Sequence, residues 1–415
     1  MKTIQLFLYV CAAAFIASCN AEDDKTLGEA LFAVPEVKSL TEIRDNITVL
    51  GAKQTQSDGK IYVAANYIFY IAKEDGVHVF DNSNPSSPQN IAFLNIDGVH
   101  DIAVKGNRLY ADNYVDLVVF DLSDMQDISV VQTIQNVFDF YPEYPQEAEF
   151  YDYTVGADEG ELIIGFQLET RARPDEGGIL MSNDALGSFS GAAEAAGVGT
   201  GGSYARFQVR SNALYAVESY HLNVFNIGNP DNAFFHSEVY TDSWFGGEFE
   251  TLFSQKEYLF VGSTTGMFVV NAEDEFHPVF ISEFSHATAC DPVVVDGTKA
   301  YITVRGGTTC GATEDQINVI NVAEMSNPTL LSTYLLEQPY GLGIKDGVLY
   351  VCCGANGLKV FDASSSILAL QNSYGDNVTD VIPLETHLVA VGLNTIRQYS
   401  YGSGFTLQPI SVLAF

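Results

Sequence analysis

One short pattern of apolar and polar positions recurs along the whole chain. Its clearest copy is Gly76–Pro88, where Val77 and Val79 alternate with other side chains before a polar stretch that contains an Asn-Pro turn. An alternation of period two is typical of a β-strand, and the turn residues cannot continue a sheet ladder. Further copies begin at Asp116, His221, Gly266, Gln316 and Gly357, with weaker ones at Gly178 and Thr395. Such recurrence indicates a repeat protein.

A second regularity places the strands around this pattern. Val104 and Tyr110 stand six positions apart on either side of a Lys-Gly-Asn turn, and the same spacing recurs in five other units. Each unit is therefore predicted to contain four strands joined by tight turns. The predicted first strands begin at Lys60, Asp101, Asp152, Arg206, Glu250, Pro292, Gly341 and Asp380, at intervals of 39 to 54 residues.

Eight units of four short antiparallel strands predict an all-β fold, a β-propeller with eight blades. The third unit is irregular, because its third strand is degenerate and its end runs into a Gly/Ala/Ser-rich loop near residues 187–202. Seven blades are the alternative if this unit is not a blade. A solenoid is the other architecture open to such repeats, but the last unit is complete and ends without a polar cap, which favours a closed ring.

The repeats resemble those of the LVIVD-repeat lipoproteins, a bacterial β-propeller family. The resemblance covers about residues 40–415 and is strongest at Gly76–Pro88, at Asp101–Asp121 and around Gly341-Leu-Gly-Ile. It implies a propeller fold and a membrane-anchored location, without an established chemistry. Members of that family have His before Gly-Leu-Gly where this chain has Tyr340, so a site that needed the imidazole is not implied here.

Residues 1–18 are predicted to be a targeting segment rather than part of the fold. Lys2 precedes an apolar stretch that is short for a membrane span and ends in Ile16-Ala-Ser-Cys19. This ending resembles the lipobox of bacterial lipoproteins, which implies cleavage before Cys19 and lipidation of its thiol. An ordinary secretory signal is the alternative. Residues 19–58 would then be an acidic tether and lead-in, and residues 59–415 the propeller.

The charged residues indicate which partners and which cellular location to expect. The chain has 53 acidic and 19 basic side chains and a formal net charge of −34, which repels phosphate backbones and argues against nucleic acid as a partner. Acidic residues directly after Cys19 resemble the signal that exports some lipoproteins to the cell exterior. We expect an outer-membrane lipoprotein that faces outward, with the periplasmic face as the alternative, and with a protein or glycan as a further partner.

Four cysteines stay in the chain once Cys19 is lipidated and the preceding segment is removed. Cys290 and Cys310 flank a predicted hairpin of the sixth unit at the same end, so the sequence predicts a disulfide between them. Cys352 and Cys353 are adjacent in one predicted strand and point to opposite faces, which predicts two buried free thiols.

The first strands of a propeller line its central channel, so their first residues should form a ring. Carboxylates in that ring could bind Ca²⁺ through oxygen ligands, or could hold a polar small molecule together with Arg206. The simpler interpretation is that Lys60 and Arg206 form ion pairs with the acids. No organic cofactor is expected. The candidate channel-mouth residues are Lys60, His100, Asp101, Asp152, Arg206, Glu250, Asp291, Tyr340 and Asp380.

Two functions fit this picture. The first is a surface lipoprotein whose propeller is a binding or scaffold module. The second is a channel-mouth enzyme, a hydrolase or lyase of a polysaccharide or other polar substrate, for which Glu248 and Glu250 are the nearest pair of acids on one strand face. The chain lacks a nucleophile elbow, a metalloprotease motif and a P-loop, so the binding module is favoured.

Overall fold

The computed structural model describes residues 28–54, 59–72, 75–173, 200–241, 247–285, 292–306 and 314–414. In this part of the chain the fold is all-β, with a single helix of six residues. The predicted propeller of four-stranded antiparallel sheets is confirmed. None of the described helical residues forms a segment that is long and apolar enough to cross a membrane.

The elements follow one another in chain order. The N-terminal ones are β1 (Glu29–Ser39), α1 (Leu40–Asp45) and β2 (Thr48–Gly51). Unit 1 contains β3 (Gly59–Ala64), β4 (Tyr67–Ala72), β5 (Gly76–Asp81) and β6 (Gln89–Asn95), and unit 2 contains β7 (Ile102–Lys105), β8 (Arg108–Asn113), β9 (Asp116–Asp121) and β10 (Ser129–Ile134). Unit 3 contributes β11 (Phe150–Tyr151) and β12 (Glu161–Ala172), and β13 (Thr200–Gly201) follows it.

The second half of the chain continues the same order. Unit 4 contains β14 (Phe207–Arg210), β15 (Ala213–Val217), β16 (His221–Asn226) and β17 (Phe234–Tyr240); unit 5 contains β18 (Phe249–Gln255), β19 (Tyr258–Ser263), β20 (Gly266–Asn271) and β21 (Val279–Ser285). Unit 6 contains β22 (Val293–Asp296), β23 (Lys299–Val304), β24 (Gln316–Asn321) and β25 (Thr329–Leu335). Unit 7 contains β26 (Leu342–Lys345), β27 (Val348–Cys352), β28 (Leu358–Asp362) and β29 (Ala369–Tyr374), and unit 8 contains β30 (Asp380–Pro383), β31 (His387–Gly392), β32 (Thr395–Tyr401) and β33 (Leu407–Ala414).

Seven of the units are antiparallel meanders that share one local design. In unit 1 the polar end of the recurring pattern forms the turn between β5 and β6, because the Asp81 and Asn84 side chains accept backbone N–H bonds from Ser83 and Ser86. The pairing of the third strand with the fourth contains a register shift at the corresponding place in all seven, for example between Val79 and Phe80. The repeat in the sequence is therefore a repeat of turns and bulges as well as of apolar positions.

The described residues form eight sheets, and seven of these sheets close the inner ring. The first strand of unit 2 contacts the first strand of unit 4 directly, and the first strands of units 5, 6, 7, 8 and 1 continue the circle. An apolar cluster fills each of the seven interfaces between these neighbours, so the core is divided around the ring rather than gathered at one place. The eight sheets agree with the eight units predicted from the sequence, and the irregular third unit forms the sheet that lies outside the inner ring.

Unit 3 is a three-stranded sheet of a different construction, which we call the side sheet. Strand β1 lies in its middle, antiparallel to β12 from the pair Glu29 and Ala172 to the pair Ser39 and Glu161, and parallel to β11. The first and second strands of unit 3, β11 and β12, therefore do not pair with each other, because a segment from the lead-in lies between them. The degenerate third strand and residues 187–199 of the predicted loop lie outside the described residues.

The lead-in continues from the side sheet to unit 1. Ser39 caps α1 by accepting a hydrogen bond from the Glu42 backbone N–H at 3.0 Å. Arg44 at the end of this helix forms a two-point ion pair with the buried Asp116 of unit 2, with distances of 2.6 and 2.9 Å. Strand β2 then pairs with β6 at the outer edge of unit 1. The lead-in thus ties the side sheet to two of the regular units.

The ring closes between unit 8 and unit 1 without a shared sheet. The side-chain amides of Asn82 and Gln398 form two reciprocal hydrogen bonds across this seam, at 3.0 and 2.7 Å, and both residues are buried. The Ser411 hydroxyl donates to the carbonyl of Pro85 beside them at 2.6 Å. An apolar cluster that includes Ile61, Phe80 and Ile396 completes the seam, while the described parts of the two sheets stay separate.

Candidate functional site

The channel axis is where the sequence placed its ring of charges. Lys60, Asp101, Glu250 and Asp380 all lie at the beginning of first strands and are all buried. Asp101 accepts backbone N–H bonds from Arg206 and Phe207, at 2.7 and 2.9 Å, and so joins unit 2 to unit 4. Burial raises its pKa against the opposing charge of Lys60 and these N–H donors. The structure therefore brings Lys60 close to Asp101 and Asp380, and it buries Glu250 at the start of its own first strand.

Asp380 is packed against glycine backbone at the same end of the channel. A Cβ atom on Gly202 or Gly341 would lie within 2.3 Å of its carboxylate oxygens, so neither position has room for a side chain. Burial raises the pKa of Asp380 to about 7, although backbone N–H groups of Val381 and Ser203 and the charge of Lys60 favour ionisation. This carboxyl group therefore carries a proton in a large fraction of molecules near neutral pH.

Residues 200–206 cross the channel, which the sequence did not predict. Strand β13 pairs with β3 of unit 1, and the Ser203 hydroxyl accepts a hydrogen bond from the Leu342 backbone N–H of unit 7 at 2.8 Å. The Ala205 carbonyl accepts from the backbone N–H of Leu252 in unit 5. A segment that contacts first strands on several sides of the ring must pass across the axis. It fills the part of the channel that a ligand was expected to use.

The remaining candidates are dispersed. Asp152 lies in the side sheet, where hydrogen bonds from Thr154 and then Arg171 lower its pKa to about 2, so it does not join the ring. The Tyr340 ring lies under the guanidinium of Arg305, 4.3 Å from its carbon to the ring centroid. Cys352 and Cys353 are buried free thiols whose pKa values burial raises. The predicted sites at Cys19, Cys290, Asp291 and Cys310 lie outside the described residues.

A cavity of about 440 Å³ lies beside the channel, between the side sheet and units 2, 4 and 5. Three of the predicted residues, His100, Asp101 and Arg206, are in its wall. The other polar and charged lining residues are Glu36, Asp112, Asp139, Glu143, Glu218, Ser219 and Glu248. Its aromatic lining residues are Tyr114, Phe138, Phe140, Tyr141, Phe166, Phe207 and Phe249. A concave site with apolar walls and convergent polar groups is the usual form of a ligand site.

Two carboxyl groups in the cavity have pKa values that are shifted in opposite directions from their ordinary values. Burial, together with the charges of Asp139 and Asp112, raises the pKa of Glu218 to about 8 against the opposing effect of Arg206. Burial also opposes ionisation of Asp112, but hydrogen bonds from His100 and the Asp101 backbone outweigh it and lower the pKa. Near neutral pH the cavity therefore holds one largely protonated and one ionised acid.

Glu248 and Arg206 complete the polar part of the wall. Burial raises the pKa of Glu248, whose carboxylate accepts a hydrogen bond from the Tyr220 hydroxyl at 3.2 Å. Arg206 donates from Nη2 to the Val217 carbonyl at 3.1 Å, while its buried Nε has no hydrogen-bond partner in the described part of the chain. Glu250, which the sequence paired with Glu248, is buried at the channel and does not line the cavity.

The aromatic wall comes from the segment between units 2 and 3. Phe140 contacts Tyr114 edge to face, with ring centroids 4.7 Å apart, and lies 6.4 Å from the His100 ring. Phe138 stacks on Phe207 at 5.8 Å and is buried.

The described residues offer no group of three His, Cys, Asp or Glu side chains placed to hold a metal ion.

Sequence reasoning missed Glu36, Glu218 and the Phe138–Tyr141 wall. The signal at Glu218 was an acid directly after the wholly apolar strand β15. Glu36 carried no such signal, because the position of β1 in the side sheet depends on pairing with residues more than a hundred positions away.

Comparison with solved structures supports the fold. The Pseudomonas aeruginosa periplasmic gluconolactonase PpgL is similar with a TM-score of 0.52 and 11% identity, over 89% of this chain and 96% of that one. The computationally designed protein Ika8 is similar with a TM-score of 0.51 and 10% identity, over 88% of this chain and 89% of that one. No protein-family model and no curated protein matches the chain. At these identities the likeness shows the propeller fold alone.

Proposed function

We propose that this protein is a membrane-anchored propeller lipoprotein that works as a binding module, with the cavity beside the side sheet as its ligand site. The cavity is the observation that carries the proposal. It has room for a small organic molecule, and its walls combine buried acids, one arginine and several aromatic rings. The channel itself is a weaker candidate, because residues 200–206 occupy it.

The proposed anchor and location rest on the sequence. The ending Ile16-Ala-Ser-Cys19 supports lipidation at Cys19, and the acidic residues that follow support the outer face of the outer membrane. The recurring strands support membership of the LVIVD-repeat lipoproteins. A lipid anchor of this kind would hold the propeller at a membrane surface, where a glycan or another protein could also contact it.

Replacement of the anchoring thiol tests this part of the proposal. Cys19→Ala should release the protein from washed membranes, because acylation needs that sulfur atom, while Cys11→Ala should leave it membrane-bound. Partition between membrane and soluble fractions is the measurement. A Cys19→Ala protein that still sediments with membranes after detergent-free washing would refute the lipid anchor.

Ligand titration tests the binding module. We expect at least one of three ligand classes (organic cations, neutral sugars, small carboxylates) to raise the melting temperature of the detergent-solubilised full-length protein. Phe140→Ala and Glu248→Gln change the cavity wall at half-buried positions and should reduce that increase. Glu385→Gln, at an exposed acid of unit 8, is the matched control. A panel without effect, or an increase that both cavity variants keep in full, would contradict the cavity as a ligand site.

A second function is favoured by the opposite pKa shifts of two acids in the cavity. A protonated Glu218 and an ionised Asp112 are the pair that general acid–base catalysis needs, so hydrolysis or elimination of a polysaccharide or other polar substrate is the alternative. Product formation from polysaccharide substrates, lost in Glu218→Gln and kept in Glu385→Gln, would establish the enzyme. Binding without turnover would leave the binding module.

Two further sequence predictions stay proposals. If Ca²⁺ binds the channel acids Asp101 and Asp380, a chelator should lower the melting temperature at fixed ionic strength. An unchanged melting temperature would contradict a bound Ca²⁺ ion.

A Cys290–Cys310 disulfide predicts one cross-linked peptide in non-reducing peptide mapping. Cross-links from either residue to Cys352 or Cys353 would contradict it.

A further inference from the structure

The charge of the cavity wall is strongly one-sided. Seven acidic side chains line it against Arg206 and the imidazole of His100. Arg206 is already engaged with the Val217 carbonyl, and its charge acts on Glu218. The carboxyl groups therefore lack an equal number of positive partners within the cavity. A ligand that brings positive charge would relieve this repulsion, and an anionic ligand would increase it.

The aromatic part of the wall suits the same kind of ligand. Tyr114 and Phe140 meet edge to face at 4.7 Å beside His100, and Phe166 and Phe249 line other parts of the cavity. The faces of aromatic rings attract cations, most strongly where water is displaced. A hydrated metal ion would not use these rings, and the described residues provide no metal-ligand group. An ammonium group on an organic molecule uses both the rings and the acids.

We propose that the cavity binds a small organic cation, whose ammonium group lies between the carboxyl groups of Glu218 and Glu248 and the aromatic wall around Phe140. This inference rests on the proposed binding function and adds the chemical class of its ligand. A neutral sugar could also contact aromatic rings and carboxylates, but it would leave the excess of negative charge without a partner. The structure therefore favours the cation.

Glu218 links this binding to pH. The groups that act on it are Arg206, Asp139 and Asp112, and Glu248 and His100 lie in the same cavity. Since its pKa in the unliganded protein is about 8, a cation that needs the carboxylate must displace a proton below that pH. The affinity for a permanently charged ligand should therefore rise with pH, by up to about tenfold per pH unit below pH 8.

Calorimetric titration of the detergent-solubilised full-length protein with choline tests the inference. Choline carries a quaternary ammonium that does not titrate, and dimethylbutanol is its uncharged carbon isostere. We expect choline to bind more tightly than the isostere, and more tightly at about pH 9 than at about pH 6. Glu218→Gln should remove the pH dependence. Phe140→Ala should weaken binding by about twofold to thirtyfold, and Glu248→Gln by about fivefold or more, with Glu385→Gln unchanged.

The outcomes separate the two levels of the proposal. Equal affinities for choline and its isostere, no choline binding at millimolar concentration, or choline binding that Glu248→Gln and Phe140→Ala leave intact would each overturn the cation inference. If sugars or carboxylates bind instead, and their binding depends on Phe140 and Glu248, the cation proposal is refuted and the proposed binding module is supported. If the binding of no ligand class depends on these residues, both the cation proposal and the cavity as a ligand site are refuted. Glu248 and Phe140 are half-buried, so their variants keep the test valid if Glu218→Gln does not fold.

Discussion

The seven regular units and the side sheet are built by different means. In a regular unit each strand pairs with the next one along the chain, and Asx turns and a recurrent bulge fix the register. In the side sheet the central strand β1 comes from the lead-in and pairs with β12, more than a hundred residues later. The regular units form the closed ring, whereas the side sheet covers one flank of the ring and encloses the cavity.

This contrast indicates where function is located in a repeat protein. The regular units supply the frame, and at its axis Asp101 is already engaged by backbone N–H groups of a neighbouring unit. The candidate ligand site lies between the regular units and the side sheet, which does not follow the repeat pattern. Variants that act on one part and spare the other can test this division.

The largest effect is expected from Asp101→Ala, which acts on the ring. The substitution leaves the buried backbone N–H groups of Arg206 and Phe207 without their acceptor and removes these hydrogen bonds between unit 2 and unit 4. Loss of buried partners of this kind costs about 3 to 5 kcal/mol in the free energy of unfolding. Chemical denaturation measures the loss, with Glu385→Ala at an exposed position as control. Equal midpoints for both variants would show that the ring does not depend on this junction.

The next effect is expected from Ala33→Asp, which acts on the side sheet. Ala33 is fully buried in the middle of β1, so the new carboxylate must be buried without a partner or break the pairing with β12, at a cost of about 2 to 4 kcal/mol. Hydrogen exchange should show lost protection in residues 161–172, while β8 and β15 keep theirs. Glu29→Asp, at the exposed end of β1, is the control. Simultaneous loss of protection in all these strands would mean that ring and side sheet unfold as one.

A smaller effect is expected at the seam, from Gln398→Ala. The Asn82 amide then stays buried without its partner, which costs about 2 kcal/mol. Adding Asn82→Ala should cost less than a second equal amount, because the first change has already removed the shared bonds. A double-mutant cycle by denaturation measures the coupling. Strict additivity would show that the two amides do not support each other, and Gln408→Ala, at an exposed position of unit 8, is the control.

The smallest effect concerns pH and the cavity. The pKa of Glu218 is raised from 4.5 to about 8 in the folded protein, so the folded state holds this proton where the unfolded state has lost it. The contribution is most favourable below about pH 4.5 and is lost as the pH rises toward 8. Between pH 6 and 7 it should lower stability by at most about 1.4 kcal/mol. Glu218→Gln should flatten this part of the stability profile, whereas Glu385→Gln should not, and an unchanged slope in Glu218→Gln would assign it to other groups.

The sequence predicted the regular frame because that frame is local. Apolar alternation, turn residues and the six-residue spacing all act within one unit, and they predicted its strands, including β5, β9 and β20. The sequence also placed Lys60, Asp101 and Asp380 at the start of first strands, but it did not predict that all three are buried.

The site could be predicted only in part, because it is built from long-range pairing. His100, Asp101 and Arg206 were candidates, since they belong to the ring pattern. Glu36 reaches the cavity only through the pairing of β1 with β12, and no local signal encodes that pairing. For the same reason Asp152, which aligned with the ring in sequence, lies with Arg171 in the side sheet.

The closure of the ring by side chains has a consequence for biosynthesis. Asn82 and Gln398 are separated by 316 positions, so the seam cannot form until nearly the whole chain has been made. Until then the flank of unit 1 that carries Ile61 and Phe80 has no neighbour to cover it. Any chain truncated before Gln398 keeps two uncovered apolar flanks, one at each end of an open arc, and such surfaces drive aggregation.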